Sequence, residues 1–139
     1  MMRTERAWRW VETDPFGRLI YCAEDVWRTK VQQRPEIGPN EQAVRTAVRF
    51  PDAIYYDQRS SAVRQAQGSS ASIMHFVGAG SVRVPEGLLP ALVSVVVKLL
   101  EAPTAGGEVG YVQTAYVTHR VLRRLQLVWG NPKNLDERH

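Results

Sequence analysis

Apolar and polar positions follow two periods along this chain, and the change from one to the other separates predicted helices from predicted strands. Residues 7–12 and 18–22 are short apolar and aromatic runs flanking Asp14-Pro15-Phe16-Gly17. Proline suits the second position of such a turn and glycine the fourth, so this stretch predicts a short strand or hairpin. From residue 23 to 34 the period lengthens. Ala23, Trp27 and Val31 recur at a four-residue spacing with Val26 beside them, and Glu24 and Asp25 stand in the first turn. That pattern predicts a helix, which Pro35 stops because the residue before proline avoids the α region. A second helix is predicted over residues 40–49, with Asn40 as N-cap and Ala43, Val44, Ala47 and Val48 facing inward.

Beyond Pro51 the period falls to two. Residues 53–58, 72–77, 92–100 and 111–118 read as strands, the third being richest in β-branched side chains. The polar run 59–70 reads as a mobile loop and 78–90 as an irregular insertion. Residues 102–107 read as an Ala/Gly-rich turn, 119–125 as a short basic helix, and 131–139 as a fraying polar tail. Helices come first and strands follow, joined by links too short for helical crossovers. The expected architecture is therefore α+β: two N-terminal helices packed on a four-stranded, mainly antiparallel sheet. A length of 139 residues suits one domain, with its core at about 17–121 and terminal extensions at 1–16 and 126–139.

Charge adds a preference of partner. The formal net charge is +4, which favours polyanions such as RNA. Cys22 is the only cysteine, which leaves no internal disulfide and no cysteine-based zinc motif. Of three histidines one is His139, so neither a metal site nor a cofactor is expected. Residues 1–10 carry three arginines and no apolar core of a signal peptide, and the apolar run 88–100 is interrupted by Pro90 and Lys98. The expectation is a cytoplasmic chain without a membrane segment.

Several stretches resemble a known family in order and spacing. "GRLIYCAEDVWRTKVQQRPEI", "AVRTAVRFPDAIYYD", "LVSVVVKLL" and "YVQTAYVTHRV" are similar to pieces of the phage-associated nuclease-like domains grouped with barnase, EndoU, colicin and RelE. The resemblance spans about residues 17–121. It implies two helices followed by a four-stranded antiparallel sheet, and metal-independent RNase activity. The family's in-helix histidine falls on Thr29 and its histidine before Pro-Glu falls on Arg34. The Pro35-Glu36 pair, Lys98 and the strand from Thr114 to Thr118 are kept.

RNA cleavage without a metal needs a base for the 2′-hydroxyl, a cation for the phosphorane and an acid for the leaving oxygen. Arg34 offers a phosphate-gripping fork, or simply a cation at a helix C-terminus. Glu36 offers a base, or a solvated loop carboxylate. Lys98 interrupts an apolar strand, as a phosphate ligand or as an edge-guarding lysine. Tyr116 and Thr118 share a strand face with Thr114, as phosphate ligands or as ordinary strand formers. His119 is a candidate replacement base, with His75 behind it. Arg120, Arg123 and Arg124 form a basic cluster able to track RNA backbone, or a solvated helix face. Trp8, Trp10 and Trp27 offer stacking surface or core bulk.

The leading expectation is a toxin-like, metal-independent endoribonuclease acting by 2′-hydroxyl attack. One rival is a nucleic-acid- or nucleotide-binding module of the same fold with altered catalysis. Another is a phage or toxin-system interaction domain with an inhibitory protein partner.

Overall fold

The computed structural model describes residues 7–102, 107–118 and 125–131. The chain opens with a hairpin of β1 (Trp8–Thr13) and β2 (Leu19–Ala23). Its turn is the one the sequence predicts. The Asp14 carboxylate accepts the main-chain amides of Phe16 at 2.9 Å and Arg18 at 2.8 Å, and also the Arg18 guanidinium at 2.7 Å. Gly17 takes φ +79°, the left-handed region that a side chain disfavours.

β2 runs into α1 (Glu24–Val26), which continues as a π-helical turn over Trp27–Val31. The turn closes with a bond from the Gln32 amide to the Trp27 carbonyl. Trp27 and Val31 are buried and Val26 is half-buried, as the four-residue spacing implied. A single 3-10 turn (Gly38–Asn40) leads to α2 (Glu41–Arg49), whose Val44, Ala47 and Val48 are buried.

The predicted N-cap, Asn40, does something else. Its side chain donates to the carbonyls of Glu36 and Arg83, each at 3.0 Å, and accepts the Arg83 amide at 2.6 Å. It thereby ties the start of α2 to the sheet.

Next come β3 (Ala53–Tyr56), α3 (Gln58–Ala66), β4 (Ser72–Val84), β5 (Gly87–Ala102), β6 (Gly107–Thr118) and β7 (Gln126–Gly130). The sheet order is β1-β2-β6-β5-β4-β3-β7, with β2 parallel to β6 and every other neighbouring pair antiparallel. The expected pair of helices on a four-stranded antiparallel sheet is therefore corrected to a seven-stranded mixed sheet with three short α-helices.

Misread segments along the chain account for the difference. The polar run expected to be a loop forms α3, capped by the Asp57 carboxylate accepting the Ser60 amide at 2.9 Å. The expected irregular insertion is instead the tip of one long β4–β5 hairpin, paired without a break from Ser72↔Leu99 to Val84↔Gly87. Among the described residues β6 pairs with β5 from Leu92 onward, and Pro90 pairs with Ser81 of β4 near the hairpin tip. Finally, β1 and β7, assigned to terminal extensions, both join the sheet, β7 beside β3 and β1 beside β2, whose parallel contact with β6 no local pattern announces. At that contact a Cβ on Gly110 would lie 2.6 Å from the Ile20 side chain and 2.8 Å from that of Val97, so a larger residue would have to displace buried side chains packed there.

One sheet face packs on α1 and α2. Trp10, Ile20 and Cys22 meet Val44, Val48, Phe76, Val95 and Val97 in the main core. Ala53, Tyr55, Val77 and Leu92 form a smaller cluster on the opposite face. The sheet curls enough for Phe16, in the first hairpin, to meet Trp129 of β7 edge-on at 6.1 Å. No helix among the described residues is long and apolar enough to cross a membrane.

Candidate nucleic-acid cleft

Two irregularities in the sheet build one concavity. In β1 the register shifts between Trp8 and Trp10. Two residues apart, these side chains would share a face; the shift sends them to opposite faces. Trp10 enters the core at 5% exposure, while Trp8 stays 41% exposed beside Tyr21. In β6 a second shift lies opposite Val96 and Val97, and leaves Gln113 as the extra residue between Val112 and Thr114. Between the two bulges is a cleft of about 490 Å³, lined by Trp8, Tyr21 and Tyr111 on one side and by Lys30, Lys98 and Gln113 around them.

Lys98 is the cross-strand partner of Tyr111, so strand register puts the two side chains on one face, and both line the cleft. Lys30 comes from the π-helical turn that follows β2. Neither lysine forms an ion pair among the described residues. Arg34 extends this cationic group. It lies in the turn beyond the helix and donates to the Thr114 hydroxyl at 3.5 Å, and that hydroxyl in turn donates to the Lys30 carbonyl at 3.1 Å. Arg34, Lys30 and β6 are thus linked through a single threonine.

The other sequence candidates are placed differently. Tyr116 pairs across the strands with Ser94, and Ser94 lies four residues back along β5 from Lys98, about 13 Å at ordinary strand rise. Its hydroxyl reaches His75 Nδ1 at 3.4 Å. Thr118 lies further still, paired with Leu92. Glu36 is half-buried, and its carbonyl accepts from Asn40. His119, Arg120, Arg123 and Arg124 lie outside the described residues. Of the groups expected around one phosphate, Lys98 lines the cleft and Arg34 adjoins it through Thr114, whereas Tyr116 belongs to a second cluster.

That second cluster is a buried polar network. His75 Nε2–H donates to the Asp57 carboxylate at 2.9 Å, and Nδ1 lies within hydrogen-bond reach of the Ser94 and Tyr116 hydroxyls, both at 3.4 Å. Burial works against the charge on Asp57. The Ser60 amide and the His75 ring outweigh that effect and hold its carboxyl below the usual range. Serine, histidine and aspartate in contact suggest nucleophilic chemistry, yet Ser94 is only 2% exposed and His75 5%. A hydroxyl so enclosed has no route to a substrate, and the network instead satisfies polar groups inside the sheet. Cys22 is sealed as well, and burial pushes its thiol up to about 12, far from a reactive thiolate.

Reasoning from sequence missed Trp8, Tyr21, Tyr111, Lys30 and Gln113 as a group. The one available signal was Lys98 itself, a charge inside an apolar strand whose neighbours had to be polar or open to water. Among the described residues no group of three or more His, Cys, Asp or Glu side chains is placed to hold a metal ion. Comparison with family models, with curated proteins and with solved structures finds no match to this chain.

Proposed function

We propose that the chain is a toxin-like endoribonuclease that holds the RNA phosphodiester at the Lys30–Lys98 cleft. One observation carries this reading: two lysines without ion-pair partners among the described residues converge on an aromatic-lined concavity, with Arg34 at its border. Uncompensated cations in a cleft attract a polyanion and stabilise the extra charge of a phosphorane.

In the proposed reaction a base removes the 2′-hydroxyl proton and the 2′-oxygen attacks phosphorus. The bond to the 5′-oxygen breaks, and that oxygen takes up a proton, leaving a 2′,3′-cyclic phosphate and a 5′-hydroxyl end. Lys98 and Lys30 offset the phosphorane charge, and Arg34 grips a non-bridging oxygen. No carboxylate lines the cleft among the described residues, so the base comes from outside that lining, and Glu36, two residues beyond Arg34, is the candidate. Tyr116 contributes less, because its hydroxyl is turned to His75.

The experiment is cleavage of labelled single-stranded RNA by purified protein in the presence of a chelator, with the new ends identified chemically. Lys98→Ala is expected to lower the rate by about 100-fold, the scale set by removing one charge-stabilising group, and Tyr116→Phe by far less. Far-UV circular dichroism should be unchanged in both. If diverse RNAs stay intact and unbound, the reading is wrong.

A second reading, RNA binding without cleavage, is favoured by the cleft's composition. No carboxylate or imidazole lines it among the described residues. Salt-dependent binding with intact RNA would select it.

A further inference from the structure

The aromatic wall of the cleft is larger than sheet packing requires. Trp8, Tyr21 and Tyr111 come from three adjacent strands, with ring centroids 4.8 Å apart for Trp8–Tyr21, 6.0 Å for Trp8–Tyr111 and 5.8 Å for Tyr21–Tyr111. The two pairs involving Tyr111 are stacked, at interplanar angles of 29° and 25°. A regular β1 would bury Trp8 on the same side as Trp10. The bulge instead turns its indole outward, beside the half-buried Tyr21 and Tyr111.

An indole left 41% exposed in a cleft that two lysines also line combines two kinds of recognition. A flat apolar face suits a nucleobase, and the adjacent lysines suit the phosphate attached to it. In a duplex the bases are stacked on one another and their faces are covered, so only an unpaired strand can use both surfaces together.

We propose that this cleft selects unpaired RNA, with a nucleobase laid against Trp8 while the adjoining phosphate meets Lys30 and Lys98. The proposal rests on the RNA reading of the same cleft. Trp8 is the residue that sets the preference, and Tyr21 and Tyr111 hold its indole in place.

Three 2′-O-methyl probes of equal length test it, since methylation blocks attack by the 2′-oxygen. They are a single strand, the same strand without bases, and a duplex, each followed by fluorescence anisotropy. Wild-type protein should bind the base-bearing strand about tenfold or more tighter than the other two, the scale of one stacked base. Trp8→Ala should lose that advantage and leave the abasic strand unaffected, while Trp8→Phe should keep most of it. Lys98→Ala should weaken all three alike. Equal binding of all three probes, or unchanged binding by Trp8→Ala, overturns the stacking proposal and leaves the RNA reading standing. Absence of binding to any probe overturns both.

Discussion

Two cationic regions of this protein are built on opposite plans. On the β1–α2 side every arginine meets an acid. Arg9 makes a two-pronged contact with Glu41 at 2.8 and 2.9 Å and also reaches Glu24 at 3.4 Å. Arg45 and Arg49 share the buried Glu12. The guanidinium of Arg9 holds the Glu41 carboxyl below its usual range. Arg9 also lies over the Trp27 ring and Arg45 over Trp10. At the cleft Lys30, Lys98 and Arg34 have no acidic partner among the described residues. Net charge alone could not separate these two sets. The first is neutralised within the fold and docks β1 on α2, and the second has no acidic partner among the described residues.

Mutation should separate the two regions by what each loses. The largest effect is expected at the cleft. Lys30→Ala combined with Lys98→Ala should abolish detectable RNA cleavage, while the thermal midpoint stays put or rises as like charges are removed. Equal RNA turnover in that double variant would erase the distinction.

The converse change is Glu12→Ala, which strands two arginines beside a buried site. It should cost about 2–3 kcal/mol, somewhat below the range for a fully buried pair because both arginines reach solvent. Urea denaturation reads that loss, and RNA affinity should not fall. A stable variant with weakened RNA binding would mean the two regions are not independent.

A smaller effect belongs to Asp57, which caps α3 and holds His75. Asp57→Ala should cost about 1 kcal/mol, the usual worth of a lost cap. Because the folded carboxyl lies below its unfolded value, its charge adds stability that is fully present above about pH 4. That contribution is lost as the pH falls through the folded value. Asp57→Asn retains a capping oxygen and should lose this acid dependence, which unfolding measured from pH 6 to 2 would reveal.

The same contrast shows what a single sequence makes legible. The Asp14–Gly17 turn, the buried stripe of α2 and the centres of β3 to β6 are local patterns, and the structure places them as expected. Helix α3 was hidden because it buries little besides Ser61 and depends on Asp57 capping and on the Ser61 hydroxyl accepting the Ile73 amide at 2.9 Å. The glycines and prolines of residues 78–90 suggested irregularity, although this segment pairs as the continuous tip of the β4–β5 hairpin. β7 and the parallel β2–β6 pair depend on partners far away in sequence.

At the cleft, Lys98 could be found as a charge in an apolar strand, and Arg34 as a cation before Pro35. The aromatic wall could not, because it requires the β1 bulge and a parallel pairing together. Strict alternation put Trp8 with Trp10. It also put Tyr116 beside the phosphate, where the fold turns its hydroxyl to His75.

The most direct measurement is the salt dependence of single-stranded RNA affinity, compared between wild-type protein and the Lys30→Ala, Lys98→Ala double variant. Each phosphate contact contributes about one unit to the slope of log affinity against log salt, so the variant should lose about two units. Its thermal midpoint should not fall. An unchanged slope and affinity would show that the unpaired lysines do not hold RNA, and would contradict the account.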